Sequence, residues 1–261
     1  KFSSGTGVTG SAIQDCSAGY YCTGGATVPT QFESQPGHFS LAGAFHQTPC
    51  SPGQYQPAKL SSKCLTCTQG YFCAGVGTFL PKISPIGFYA PLGSEVGIPC
   101  PIGTYLDETG KYLLSHCKSC TAGKACTKVG LSIPDIDCSV GYYCLTGAKE
   151  AYPIDGISGN LCKEGYFCPA GSKTFSDNPC PLGTYSNRIG NKAAIDCIDC
   201  DPGMYCGSLA LKTVTGPCNA GYYCKLKATK KNPEDGGVTG DLCPKNRICP
   251  AGTSIPIKCP E

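Results

Sequence analysis

Cys16-Ser-Ala-Gly19-Tyr-Tyr21-Cys22 decides the fold, because the same spelling returns as Cys67-Thr-Gln-Gly70-Tyr-Phe72-Cys73 and Cys138-Ser-Val-Gly141-Tyr-Tyr143-Cys144. The pattern is Cys, two residues, Gly, one residue, an aromatic or its substitute, and Cys. It also spans Cys120–Cys126, Cys162–Cys168, Cys200–Cys206, Cys218–Cys224 and Cys243–Cys249. Three further versions keep only the front half: Cys50-Ser-Pro-Gly53-Gln-Tyr55, Cys100-Pro-Ile-Gly103-Thr-Tyr105 and Cys180-Pro-Leu-Gly183-Thr-Tyr185. Two more have no sulfur, Ser34-Gln-Pro-Gly37-His-Phe39-Ser40 and Ser84-Pro-Ile-Gly87-Phe-Tyr89-Ala90. Thirteen repeats therefore begin at intervals of 16–25 residues, and Cys259-Pro260-Glu261 opens another.

Each position has a physical reason. Pro36-Gly37, Pro52-Gly53 and Pro202-Gly203 read as type II turns, in which Pro fixes φ and Gly supplies a positive φ. Asn246 replaces Gly in one repeat, and Asn is the next most tolerant of that conformation. The aromatic that follows favours a short, half-buried strand. A turn plus a strand stub cannot bury a core alone, so neighbours must stack. A longer period lies above this one: residues 100–179 align with 180–258, matching Cys100 with Cys180, Cys117 with Cys197 and Cys162 with Cys243. Gly156-Ile-Ser-Gly159 matches Gly237-Val-Thr-Gly240, and Gly7-Val-Thr-Gly10 echoes both. The organisation expected is a partial unit at 1–49, a cysteine-rich unit at 50–99 with its bridge-free repeat at 84–90, full units at 100–179 and 180–258, and the start of the next at 259–261. Lys1 is not a Met and opens no signal sequence, so a processed or partial chain is expected.

In the two sulfur-free repeats both cysteine positions are lost together. If they bonded elsewhere, two distant partners would be orphaned, so the first and last Cys of a repeat are expected to bond to each other. That spacing argument pairs Cys16–Cys22, Cys67–Cys73, Cys120–Cys126, Cys138–Cys144, Cys162–Cys168, Cys200–Cys206, Cys218–Cys224 and Cys243–Cys249. The others fall together as Cys50–Cys64, Cys100–Cys117 and Cys180–Cys197, leaving Cys259 unpaired. Cys259 stands where Cys180 does, so its partner is expected past Glu261; the alternative is a bond to another chain.

Composition narrows the function. The 261 residues include 23 Cys, 35 Gly and 22 Pro, with 15% charged, no Trp and three His. Cysteine near a tenth of a chain marks a disulfide scaffold in an oxidising compartment, not a reduced cytosolic enzyme. A net charge of +3 lacks the concentrated field that nucleic-acid binding requires, and no apolar run approaches the ~18 residues of a membrane span.

Several chemical readings compete with plainer ones. Cys64-x2-Cys67, Cys117-x2-Cys120 and Cys197-x2-Cys200 have zinc-like spacing, yet no second free pair stands nearby to complete four ligands. His38, His46 and His116 do not recur with the repeat and read as solvated loop residues. Asp135-Ile-Asp137 and Asp196-Cys-Ile-Asp199-Cys-Asp201 fit no calcium loop. Lys225-Leu-Lys227-Ala-Thr-Lys230-Lys231 is the one charge cluster, read as a solvated connector with an anion-binding patch as the alternative. No catalytic residue, cofactor or metal is expected. N-glycosylation is excluded by the lack of any Asn-x-Ser/Thr, while Ser/Thr-rich connectors such as 3–9 are candidate carriers of O-glycans.

Cys180-Pro-Leu-Gly-Thr-Tyr-Ser-Asn and Cys197-Ile-Asp-Cys200-Asp-Pro-Gly-Met-Tyr-Cys206 closely resemble the ephrin-receptor-like, GCC-type cysteine-rich repeat, as do Cys100–Cys126 and Cys50–Cys73. The cysteine-rich modules of tumour-necrosis-factor receptors are more distantly similar. The resemblance implies an extracellular, elongated, disulfide-stapled array with little regular secondary structure. Such repeats sit in animal receptor and matrix proteins, and in ciliates, algae and other protists they form very long arrays in surface and secreted proteins. The extra Cys-x5-Cys repeats depart from the animal pattern and favour the protist type.

The expected fold is a small disulfide-rich, mostly irregular or β structure, an elongated tandem-repeat rod of hairpin units with almost no helix. The function expected first is a structural extracellular repeat protein, part of a filament or surface coat such as a flagellar hair, that self-associates with identical or related chains. The alternative is a ligand-binding or adhesive ectodomain whose contacts lie where the pattern breaks, at Gly75–Pro85, Tyr105–His116 and Lys225–Gly237.

Overall fold

The aromatic position of each repeat forms one edge of a minimal hairpin. Tyr20–Tyr21 pairs antiparallel with Phe32–Glu33, His38–Phe39 with Thr48–Pro49, and Tyr71–Phe72 with Lys82–Ile83. The second strand always lies just before the next repeat opens. The computed structural model describes residues 2–3 and 13–259, so the connector at 7–10, most of the Ser/Thr stretch at 3–9 and the Pro260-Glu261 end lie outside the described residues. Within them every sheet has only two strands, and helix is confined to two 3₁₀ turns, Leu114–His116 and Ala194–Asp196. This is the disulfide-rich small β-repeat fold that the sequence implies.

The turns before the strands are closed as the Pro-Gly spelling requires. The N–H of His38 donates to the Gln35 carbonyl at 3.0 Å around Pro36-Gly37, and Met204 donates to Asp201 at 3.0 Å around Pro202-Gly203.

The chain divides into two compact units, residues 1–118 with 129–133, and residues 119–128 with 134–261. In the first unit, repeat-to-repeat bonding follows one rule. The turn Gly N–H donates to the carbonyl at the closing position of the next repeat: Gly19 to Ser40, Gly37 to Gln56, Gly53 to Cys73, Gly70 to Ala90 and Gly87 to Leu106, all at 2.7–3.0 Å. The closing residue's own N–H reaches further into that next repeat, as Cys22 to Ala44 and Cys73 to Ser94, both at 3.0 Å. The opening residue's carbonyl accepts from a second turn there, from Gly43 onto Cys16 and from Gly93 onto Cys67, each at 2.8 Å.

The second unit obeys the same rule. Gly123 donates to Cys144, Gly141 to Cys168, Gly165 to Ser186, Gly183 to Cys206, Gly203 to Cys224 and Gly221 to Cys249 at 2.8–3.0 Å. The second turn needs a positive φ, and where Gly is lacking it is imposed on Leu60 in the first unit and on Ala210 and Lys227 in the second. Leu60, Ala210 and Lys227 donate from that strained backbone to the carbonyls of Ser34, Cys180 and Cys200 at 3.0–3.2 Å.

A third relation links next-but-one repeats. A Cβ built on Gly87 would strike the carbonyl of Gly130, which belongs to the same unit; on Gly141 it would lie 2.7 Å from the carbonyl of Gly190. The repeat glycine is thus needed twice over, for its left-handed φ of 83° at Gly87 and for the close approach of another backbone. Gly75 also has a left-handed φ, 78°, but no atom within 4 Å of an added Cβ.

Burial is local. The fully buried side chains are mostly half-cystines, joined by Leu106 and Pro153. They form small clusters such as Cys16, Cys22 and Ala26 under Tyr20, and Ala125, Cys138, Cys144 and Ala148 under Tyr142. Stability therefore adds up from repeat to neighbour, with no single hydrophobic core.

Candidate functional site

The structure brings the cysteines together as eleven bridges. Eight close the Cys-x5-Cys repeats with Cα atoms 5.7–6.0 Å apart: Cys16–Cys22, Cys67–Cys73, Cys120–Cys126, Cys138–Cys144, Cys162–Cys168, Cys200–Cys206, Cys218–Cys224 and Cys243–Cys249. Three close longer loops, Cys50–Cys64, Cys100–Cys117 and Cys180–Cys197. Each cysteine of the zinc-like pairs is thereby committed to a different bridge. Cys259 is the free thiol and is half-buried. Among the described residues no group of three His, Cys, Asp or Glu side chains could hold a metal ion, and no helix is long and apolar enough to cross a membrane.

Where a repeat lacks its closing Cys, other side chains occupy the buried place. Leu106 fills it with hydrocarbon and is fully buried. Gln56 donates from Nε2 to the Lys63 carbonyl at 2.8 Å and accepts from the Ala58 N–H at 3.0 Å. Ser186 accepts at 2.7 Å from Asn191 Nδ2, which also donates to the Tyr166 carbonyl.

The three histidines stay apart. His38 Nδ1 lies 3.3 Å from the Pro36 carbonyl, and His46 stands edge-on to Phe45. His116 differs from the solvated loop residue expected. Its ring is edge-on to Tyr112, and Nδ1 accepts from the N–H groups of Tyr112 and Leu113, both at 3.4 Å. Asp196, eighty positions later, accepts in the same way from Lys192 at 2.6 Å and Ala193 at 3.0 Å. These backbone bonds hold its carboxyl below the usual range. The two residues share a structural job, closing the approach to a 3₁₀ turn, which neither residue type announces in the sequence.

The acidic residues are spent one by one. Asp135 accepts from Thr127 N–H and Oγ1 at 2.9 and 2.6 Å, Asp137 pairs with Lys124 at 2.5 Å, and Asp199 pairs with Lys227 at 3.3 Å. Asp201 accepts from the Tyr185 hydroxyl at 3.3 Å. The lysine cluster is likewise divided: Lys225 donates to the Gly237 carbonyl at 2.5 Å, and Lys227 is held by Asp199. Lys230 and Lys231 line an open hollow with Tyr205, Thr229 and Asn232.

Two of the segments that break the repeat carry concave surface, mainly apolar in the second unit and shared with Thr78 and Lys82 in the first. In the first unit Phe72, Val76, Phe79 and Leu80 line a hollow of about 230 Å³. In the second, Pro202, Leu226, Val238 and Ile255 line one of about 550 Å³, with Lys225 at its edge. The third segment is drawn together by ion pairs of Lys118 with Asp107 at 2.7 Å and Lys111 with Glu108 at 2.6 Å.

The second unit also contains twin loops, 149–159 and 230–240. Asp155 accepts from the N–H groups of Ile157 and Ser158 at 2.8 Å and from Ser158 Oγ at 2.7 Å. Asp235 accepts from Thr239 N–H at 3.0 Å and Oγ1 at 2.6 Å. The side-chain hydroxyl bond is the main reason that each carboxyl is held below the usual range. Gly156 and Gly237 then donate to the carbonyls of Gly159 and Gly240 at 3.0 and 3.2 Å.

No family model matches the chain. Among curated proteins it is similar to Sushi, von Willebrand factor type A, EGF and pentraxin domain-containing protein 1 of Rattus norvegicus, 25% identical over 175 residues, 65% of this chain and 4% of that protein. The Mus musculus protein of the same name aligns to the same extent. The chain thus spans about 4% of the length of the curated relatives it matches.

Proposed function

We propose that the chain is a length of structural extracellular repeat protein, a building block of a filament or surface coat such as a flagellar hair, and that it performs no catalysis. The observation that carries this reading is the uniform bonding rule: within each unit the turn glycine meets the closing carbonyl of the next repeat whether or not sulfur is present. Such quasi-one-dimensional bonding suits load-bearing arrays, and eleven bridges suit an oxidising space outside the cell. The GCC-type resemblance, self-association with related chains and O-glycans on the Ser/Thr-rich connectors belong to the same proposal. Electron microscopy of the native material tests it. Ordered fibres labelled along their length by an antibody to this chain support it, and dispersed single particles refute it.

A second reading, an adhesive or ligand-binding ectodomain, is favoured by one observation. The hollows fall on Val76–Leu80 and Lys225–Leu226, where the repeat is interrupted. Monodisperse particles that retain a soluble ligand through purification would decide for it.

A further inference from the structure

The entries to the twin loops share a backbone and differ in what it carries. Ser139 and Asn219 donate from N–H to the carbonyls of Ala151 and Lys231 at 2.7 and 2.9 Å, and Cys126 and Cys206 donate to Ala148 and Ala228 at 2.9 and 2.8 Å. On that common frame Lys149-Glu150-Ala151-Tyr152 is replaced by Thr229-Lys230-Lys231-Asn232, so a balanced pair of charges becomes two positive ones. The preceding repeat changes in step. Ala125, fully buried, gives way to Tyr205, half-buried, and Thr127 gives way to Gly207. A Cβ at 207 would lie 3.2 Å from the Tyr205 ring, so this glycine makes room for the aromatic. Together Tyr205, Gly207, Thr229, Lys230, Lys231 and Asn232 line a hollow of about 430 Å³.

Among the described residues neither Lys230 nor Lys231 has an ion-pair partner, whereas Lys227 is held by Asp199 and Lys212 by Glu164. The next carboxylates along the chain are engaged elsewhere: Glu234 accepts from the Tyr222 hydroxyl at 3.0 Å and Asp235 from Thr239 Oγ1 at 2.6 Å. Asn232 is fixed by Asn219 Nδ2 at 2.6 Å. Two unspent ammonium groups on a pinned backbone, beside an aromatic ring, make a pre-organised place for an anion with an apolar side. We propose that this hollow binds an acidic saccharide, a sugar bearing carboxylate or sulfate. Its anionic groups meet Lys230 and Lys231, its hydroxyls Thr229 and Asn232, and its carbon-bound face Tyr205. A free inorganic anion is held best by converging backbone N–H groups, but those of Cys206 and Gly207 are spent on the Ala228 carbonyl and on Thr215 Oγ1 at 2.8 and 3.0 Å. An acidic peptide would answer the lysines and leave Tyr205 without a role. The proposal stands apart from the filament reading, because the bonding ladder uses none of these side chains.

The test is titration calorimetry of the full disulfide-bonded chain with four probes: a heparin tetrasaccharide, a hyaluronan tetrasaccharide, neutral maltotetraose and tetraglutamate. One or both acidic tetrasaccharides are expected to bind, and which one does identifies sulfate or carboxylate as the group read. Lys230→Glu, Lys231→Ala and Tyr205→Ala each install the residue found eighty positions earlier. K230E/K231A is expected to weaken binding on the order of 100-fold and Y205A about tenfold, while K245A, at an exposed lysine of the next repeat, changes nothing. Amide-exchange protection at Gly203 and Asn219 checks the fold, and Y205L is read if Y205A loses it. The proposal is overturned if neither acidic tetrasaccharide binds, or if K230E/K231A or Y205A binds at wild-type strength. Tetraglutamate or maltotetraose bound as tightly as the acidic sugars overturns it too, leaving a bare charge patch or an unselective ring. Fibre formation is read separately by microscopy, so each of these failures leaves the filament reading standing.

Discussion

Repeats with and without sulfur can be compared side by side in the first unit. In the Cys67–Cys73 repeat, Gly70 donates to Ala90 at 2.8 Å, Cys73 donates to Ser94 at 3.0 Å, and the Cys67 carbonyl accepts from Gly93 at 2.8 Å. In the Ser84–Ala90 repeat, Gly87 donates to Leu106 at 2.7 Å, Ala90 donates to Lys111 at 2.8 Å, and the Ser84 carbonyl accepts from Gly110 at 2.8 Å. Ser84 and Ala90 are as fully buried as the half-cystines they replace. The geometry is therefore a property of the backbone ladder and its turns. Sulfur adds a constraint whose main effect falls on the unfolded chain.

If that is right, damage to the ladder should cost more than damage to a bridge. Gly87→Ala must place a Cβ against the Gly130 carbonyl and also hold a left-handed φ; we expect a loss of about 3 kcal/mol or more in urea unfolding. Gly75→Ala carries the φ penalty without the collision, since its Cβ meets open space, and should cost about 1–2 kcal/mol. Equal losses at the two sites would show that the next-but-one approach contributes nothing.

The bridge-free repeats can also be given their sulfur. Ser34 and Ser40 are both fully buried. Ser34 Oγ donates to the Gly19 carbonyl at 3.0 Å and accepts from the Ser61 N–H at 3.0 Å, while Ser40 Oγ has no hydrogen-bond partner. In S34C/S40C a twelfth bridge should form on oxidation and raise stability by about 2.4 kcal/mol, the chain-entropy value for so short a loop. Peptide mapping and paired urea titrations of the oxidised variant and the oxidised wild-type chain would measure it. A variant that stays reduced in air would mean that the sulfur-free repeat has drifted from the bridged geometry.

The part of this design legible in the sequence is the part spelled with rare residues. Cysteine spacing and the joint loss at 34–40 and 84–90 point to the pairing found between Cys67 and Cys73, and Pro52-Gly53 announces its turn. The second turn was not legible, because its position is held by Gly77, Leu60, Ala210 or Lys227, and only the backbone φ unites them. Dipeptides such as Val76-Gly77, Leu92-Gly93, Val129-Gly130 and Ile189-Gly190 were the available signal. The cap formed by His116 was hidden for a similar reason: Asp196 does the same work with a different functional group. The apolar hollow in the second unit was legible only as an interruption of the repeat, since Pro202, Leu226 and Ile255 come from three successive repeats.

Acid should separate ladder from loops, with the smallest effect of the three. No titratable side chain takes part in the bonds around Gly70 and Gly87, whereas the twin loops are closed by carboxylates. Hydrogen bonds from Ser158 to Asp155 and from Thr239 to Asp235 depress those pKa values in the folded chain. A depressed folded value means that the stabilisation is present above the unfolded pKa, near 3.9, and is lost as the pH falls through the lower folded one. Amide exchange, corrected for intrinsic rates, should therefore show Ser158 and Thr239 losing protection between pH 5 and acid conditions below about pH 3, while Gly70 and Gly87 keep theirs. Asp155→Asn should leave Ser158 weakly protected at both extremes and flatten its pH dependence. Protection at Ser158 and Thr239 that stays level into strong acid would mean that the Pro153 and Pro233 turns hold these loops without their carboxylates.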